Sequence, residues 1–208
     1  MSIVIRSDQL MGNPPKAAPY APGRQLYRAN FNDGNKASLA GEVTAGGTGL
    51  VVAPWEGGAN NFAVQSSTVV RGAATGSINV GLPLLGIGAL MEWDVVALPA
   101  NAPLYLDLFA STIGGSPDVY RLALNPSGNI QLYQRVSGTQ TQLTSTAPVA
   151  VGDRVGVRWV GGLLSAFVNG IEVLKAFTSA VNPNGYARLS AGSSTTGFAV
   201  DTLAIDIY

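Results

Sequence analysis

Asn169-Gly170 constrains this chain more than any other dipeptide in it. It joins two apolar, extended-looking runs, residues 163–168 and 171–174, and both central residues of a two-residue type I′ turn need positive φ, which Asn and Gly tolerate best. An antiparallel hairpin is expected there. Just upstream, Gly161-Gly162 reverses an earlier run, residues 154–159, that sets Val155, Val157 and Trp159 on one face and Arg154, Gly156 and Arg158 on the other. The last run, 199–208, divides by strict alternation into Val200, Thr202, Ala204, Asp206 and Tyr208 against Asp201, Leu203, Ile205 and Ile207.

The same texture fills the rest of the chain. Residues 104–111 place Leu104, Leu106, Leu108 and Ala110 opposite Tyr105, Asp107 and Phe109, and residues 118–124 and 129–136 flank the turn Pro126-Ser127-Gly128. Residues 89–98 set Met91, Trp93 and Val95 against Glu92, Asp94 and Val96. Extended runs recur about every 8 to 12 residues with turn chemistry between them, and no stretch repeats with the period of a helix. The 26 Gly and 12 Pro among 208 residues supply the turns, and 47% hydrophobic content supplies a core. The expected fold is all-β: a two-sheet antiparallel jelly-roll sandwich over residues 26–208, with a short first strand near Leu26 pairing beside the last.

Residues 1–25 differ in kind. Pro14, Pro15, Pro19 and Pro22 preclude a helix and favour an extended arm. The bland reading is a loose terminus. The other is a docking arm that lies across a neighbour through Ile3, Ile5, Leu10, Met11, Pro14, Pro15 and Tyr20, which are more apolar than a solvated tail requires.

Composition excludes several chemistries. With no Cys and no His, the chain holds no disulfide, no thiolate or imidazole metal site and no Ser-His or Cys-His dyad. Twelve basic residues balance twelve acidic ones and form no run, so no nucleic-acid partner is expected. Arg154 and Arg158 suit a carboxylate-bridged outer face rather than a phosphate track. No membrane insertion is expected, because the longest apolar run, residues 80–91, is short and carries Pro83 and three Gly. The first nine residues lack the apolar core of a signal peptide. Only 12% of residues are charged, which favours association, so a homo-oligomer or a place in an assembly is expected.

From Leu26 onward the order of features resembles the concanavalin A-like lectin/glucanase superfamily, including its laminin-G-like jelly rolls. The residues that carry the resemblance are Phe31-Asn32-Asp33, the hairpin from Val155 through Val168-Asn169-Gly170, Gly185-Tyr186-Ala187-Arg188-Leu189, and Phe198-Ala199-Val200-Asp201-Thr202-Leu203. The opening Arg6-Ser7-Asp8-Gln9-Leu10-Met11-Gly12-Asn13-Pro14-Pro15 looks like the starts of small tailed-bacteriophage virion proteins. Together the two resemblances imply a non-enzymatic virion structural protein, a tail, baseplate or capsid-surface component made in the host cytoplasm. It would dock on other virion proteins through its arm. The alternative is a carbohydrate-binding module that attaches to a host surface glycan.

Three residue sets carry candidate chemistry. Glu92 and Asp94, at i and i+2, share a strand face, and a retaining glycosidase needs two carboxylates about 5 to 5.5 Å apart, but the glucanase pattern adds a further Glu where this chain has Val96 or Ala97; the alternative is a solvated or hydrogen-bonded outer face. Lectin-like relatives imply calcium, for which Asn32, Asp33 and Asp201 would converge if first and last strands pair. The alternative is that Asp33 serves its turn and Asp201 caps a strand end, and no other cofactor is expected. Sugar binding needs an exposed ring with polar neighbours, and Trp55 beside Asn60 and Asn61 is the best placed, unless a loop buries it. Trp93 and Trp159 belong to the core, and Tyr105, Tyr120 and Tyr133 are candidates for an outer contact face.

Overall fold

The computed structural model describes residues 26–29, 56–57, 62–66, 68–72, 77–84 and 88–207. They form two antiparallel eight-stranded sheets, with no helix among the described residues. In the first sheet the order is β14 (Ile171–Phe177), β13 (Leu163–Val168), β12 (Arg154–Val160), β6 (Gly88–Ala97), β16 (Ala199–Ile207), β4 (Thr68–Arg71) and β3 (Phe62–Gln65), and β1 (Leu26–Ala29) also pairs with β16. In the second it is β10 (Thr139–Gln142), β9 (Asn129–Val136), β8 (Val119–Asn125), β7 (Leu104–Ala110), β15 (Gly185–Ala191), β5 (Ile78–Leu84) and β2 (Glu56–Gly57), with β11 (Ala147–Pro148) on β9. Among the described strands the chain changes sheet at β1–β2, β2–β3, β4–β5, β5–β6, β6–β7, β11–β12, β14–β15 and β15–β16. These crossings stitch the layers around one core, as expected for a jelly-roll sandwich.

Turn chemistry fixes the register. Asn169 and Gly170 adopt φ of 52° and 78°, and Gly161 and Gly162 adopt 58° and 87°, so both hairpins of β12–β13–β14 close through paired left-handed residues as the dipeptides predict. Val155, Val157 and Trp159 then face inward with Met91, Trp93 and Val95 of β6 and Leu164 and Ala166 of β13. From the other layer come Leu104, Leu106, Leu108, Tyr120, Leu122, Leu124, Leu132, Ala187 and Leu189. Trp159 joins the layers: Tyr120 stacks on it at 5.6 Å and Phe109 meets it edge-on at 5.5 Å, while its Nε1 donates to Thr178 O at 3.1 Å.

Strict alternation fails at two places. In β7, Phe109 takes φ of 56° where the pairing with β15 slips between Tyr186 and Arg188, and its ring turns into the core rather than outward. In β16, Thr202 takes φ of 48° at a bulge against β6, so Val200 and Ile205 both face the core although alternation assigns them to opposite sides. Tyr120, expected on an outer contact face with Tyr105 and Tyr133, instead points inward. It is fully buried on the inner face, where its hydroxyl receives the Val181 N–H at 3.0 Å.

Candidate functional site

The outward positions of the second sheet build a single polar and aromatic face. Strand alternation exposes every second residue, and the pairings align Arg188 of β15, Asp107 of β7, Arg121 of β8, Tyr133 of β9 and Gln142 of β10 in one rung across five strands. The next rung carries Ser190, Tyr105, Ala123 and Gln131. On its far side, Arg135 stands opposite Gln140.

Three charges at the centre are buried although they lie on an outer face. Asp107 is 0%, Arg188 1% and Arg121 2% exposed. Arg121 donates from Nε to Asp107 Oδ1 at 2.7 Å and from Nη2 to Oδ2 at 2.9 Å, a two-pronged pairing. Arg188 donates from Nε and Nη2 to Oδ2 at 2.9 and 2.6 Å, and from Nη1 to Ile113 O at 2.9 Å, which ties the 111–118 segment over the sheet. Gly81, opposite Arg188, keeps that corner open: a Cβ there would lie 3.0 Å from Ala187 O and 3.6 Å from the Ile113 side chain. The Tyr105 ring covers Arg121, its centroid 4.0 Å from the guanidinium carbon.

Burial opposes the ionised form of Asp107, but Arg121 and then Arg188 more than offset it and hold the carboxyl below its ordinary value. Burial likewise opposes the charge on Arg121, and Asp107 raises it in return. The Tyr133 phenol is pushed up by burial and by neighbouring Tyr105, and its hydroxyl donates to Gln131 Oε1 at 2.7 Å. Tyr186 is pushed up chiefly by Glu56, to which it hydrogen-bonds at the β2 edge. Amides fill the remaining positions, with Asn125 Nδ2 donating to Asn129 Oδ1 at 2.8 Å and to Gln131 Oε1 at 3.2 Å. Half-exposed tyrosines beside fixed donors and acceptors make a surface able to receive a ring with hydroxyl groups.

The outer face of the first sheet is different. Glu92 and Asp94 do share it, but Arg154 bridges them, from Nε to Glu92 Oε2 at 3.4 Å and from Nη1 to Asp94 Oδ1 at 2.7 Å. Gly156 stands opposite Glu92 and leaves room for that side chain, since a Cβ there would approach Glu92 Cγ to 3.0 Å. Arg158 pairs with Glu172 at 3.6 Å. This is the carboxylate-bridged face that the spacing of Arg154 and Arg158 predicts.

A scan against protein-family models finds no match, and a search of curated proteins finds none either. Solved structures do match. A carbohydrate-binding module, CBM66, from Bacillus subtilis superposes with a TM-score of 0.52 at 14% identity, over 74% of this chain and 91% of that one. A prokaryotic β-1,3-1,4-glucanase (lichenase) derived from a mouse hindgut metagenome does so with 0.51 at 14%, over 88% and 98%. Trypanosoma rangeli sialidase does so with 0.52 at 11%, over 83% of this chain and 30% of its own. At such identities the likeness is one of fold alone: an all-β, two-sheet jelly-roll sandwich, the fold that the sequence resemblance implies.

Of the residues singled out from sequence, Trp55, Asn60 and Asn61 lie outside the described residues, as do Asn32, Asp33 and the arm residues Ile3, Ile5, Leu10, Met11, Pro14, Pro15 and Tyr20. Asp201 is described, and its Oδ1 accepts the Thr202 N–H at 2.6 Å, which ties down the β16 bulge. Among the described residues no group of three Asp, Glu, His or Cys is placed to hold a metal ion. Tyr105 and Tyr133 do share an outer face. Asp107, Arg121, Arg188 and Tyr186 are the residues that sequence reasoning passed over. Their signal is weak: single polar residues at alternate positions of apolar strands, in Leu106-Asp107-Leu108, Tyr120-Arg121-Leu122 and Ala187-Arg188-Leu189.

Proposed function

We propose that this protein is a carbohydrate-binding domain that takes a glycan across the outer face of its second sheet, without turning it over. The observation that carries the reading is the rung Arg188–Asp107–Arg121–Tyr133–Gln142, whose buried ionic centre lies beneath the Tyr105 ring and beside Tyr133. A pyranose presents an apolar face to a ring and hydroxyls to amides and guanidinium groups, and side chains already locked by one another lose little entropy on binding. The fold, shared with a carbohydrate-binding module and a glucanase, supports the same reading. Binding without turnover is favoured because Glu92 and Asp94 already bond Arg154, on the face opposite to the aromatic one, and Val96 stands in the third position of their strand.

A glycan array with the wild type and with Tyr133→Ala tests the proposal. Wild type is expected to retain a defined set of glycans and the variant to lose them by about tenfold or more, the scale of one stacked ring and its hydrogen bond. Silence of the wild type across the array, or equal binding by the variant, would count against it.

A further inference from the structure

We propose that the glycan is acidic and that its carboxylate docks between Arg121 and Arg135, in the place now held by the Gln140 side-chain amide; this rests on the carbohydrate reading and narrows it to a substrate class. The centre of the face carries three guanidinium groups and one carboxylate. Both oxygens of Asp107 are taken by Arg121 and Arg188, which leaves Arg135 with no ion pair among the described residues. Arg135 Nε is buried with no acceptor among them, and Nη2 reaches Gln140 Oε1 at 3.3 Å. The same oxygen also accepts from Arg121 Nη1 at 2.9 Å. One neutral amide oxygen thus serves two cations.

A carboxylate has two oxygens and a charge to offer in that place, and the planar guanidinium fork matches it in a way that an ammonium or a hydroxyl does not. Gln140 is built to yield. Its strand, β10, is exposed along its whole length at the edge of the sheet, so the side chain has water to move into, and the two guanidinium bonds it gives up are remade to the incoming carboxylate. Burial and the charge of Arg121 both weigh against the proton on Arg135, a penalty that a bound anion removes. Tyr133 and Gln142, paired across β9 and β10 one rung away, stand where the ring bearing that carboxylate would lie.

Isothermal titration calorimetry with polygalacturonate, alginate and hyaluronan, each beside its carboxyl-reduced form, tests the inference, with dextran sulfate as a second anion. At least one acidic polymer is expected to bind at least tenfold more tightly than its reduced form and than dextran sulfate. Arg135→Gln, checked for an unchanged melting temperature, is expected to lose about tenfold, and Gln140→Ala to keep or gain affinity because its amide competes with the ligand. Reduced polymers that bind as well as their acids would overturn the acidic class while leaving sugar binding in place. Silence of every polymer, acidic and reduced, would remove the inference, while the glycan array decides the broader reading separately. Dextran sulfate binding as tightly as the uronates, or a tenfold loss in Gln140→Ala, would overturn the carboxylate pocket.

Discussion

Asp107 sits where no water reaches, and an unpaired carboxylate there would cost several kcal/mol. Four guanidinium N–H donors, two from Arg121 and two from Arg188, make the position tenable. Because those cations hold the folded carboxyl below its ordinary 3.8, the folded state binds the proton less readily than the unfolded chain does. Its contribution to stability is therefore complete above about pH 4 and is lost as the pH falls through the depressed folded value. Asp107→Asn strands two buried cations and is expected to cost about 3 to 5 kcal/mol at pH 7. Urea melts from pH 7 to pH 2 should show wild type converging on the variant in acid. Parallel profiles would mean that Asp107 is not the group being titrated.

At the scale of strands, one glycine, Gly185, decides geometry that polar patterning leaves open. Gly185 opens β15 at φ of 140°, and a Cβ on it would run into the carbonyl oxygen of Ala110. That oxygen belongs to the backbone of β7 and has nowhere to go, so Gly185→Ala is expected to destabilise by at least ~2 kcal/mol, from the clash and the unfavourable φ together. A melting temperature within 2 °C of wild type would show that β7 and β15 part more easily than their pairing implies. What was legible in the sequence follows the same division. Asn169-Gly170 and Gly161-Gly162 announce their turns because positive φ is a local requirement, and Arg154 and Arg158 announce a bridged face because partners lie one strand away. Phe109 and Thr202 broke the alternation without warning, since nothing in a β-branched or aromatic residue signals a left-handed backbone. The candidate site stayed hidden for another reason: its rung is assembled from β15, β7, β8, β9 and β10, and each strand supplies one polar residue that alone looks like an ordinary solvated position.

The whole molecule joins a charge-bridged sheet to an aromatic, cation-rich one, and the join is the core. Trp159 reaches from β12 to Phe109 and Tyr120 of the opposite layer, and Trp93 is fully buried on β6. Neither sheet can keep its inner face dry alone, because Leu104, Leu106, Leu122 and Leu189 of one layer share a single buried cluster with Met91, Trp93, Val155, Val157 and Leu164 of the other. The buried ions of the second sheet depend on the same union, since the strands that hold Asp107 and Arg121 in register also carry Leu106, Leu108, Tyr120 and Leu122 into the core. Unfolding should therefore be a single event. In a Trp55→Phe background, emission from Trp93 and Trp159 reports the seam between layers, whereas far-ultraviolet circular dichroism reports strands in both. The two melting curves should coincide within about 1 °C, a window inside the roughly 2 to 4 °C shift that a loss of 1 kcal/mol produces in a chain of this size. An early fluorescence transition, with strand signal persisting above it, would mean that the layers separate before they melt and that a ligand face on one sheet is not braced by the other.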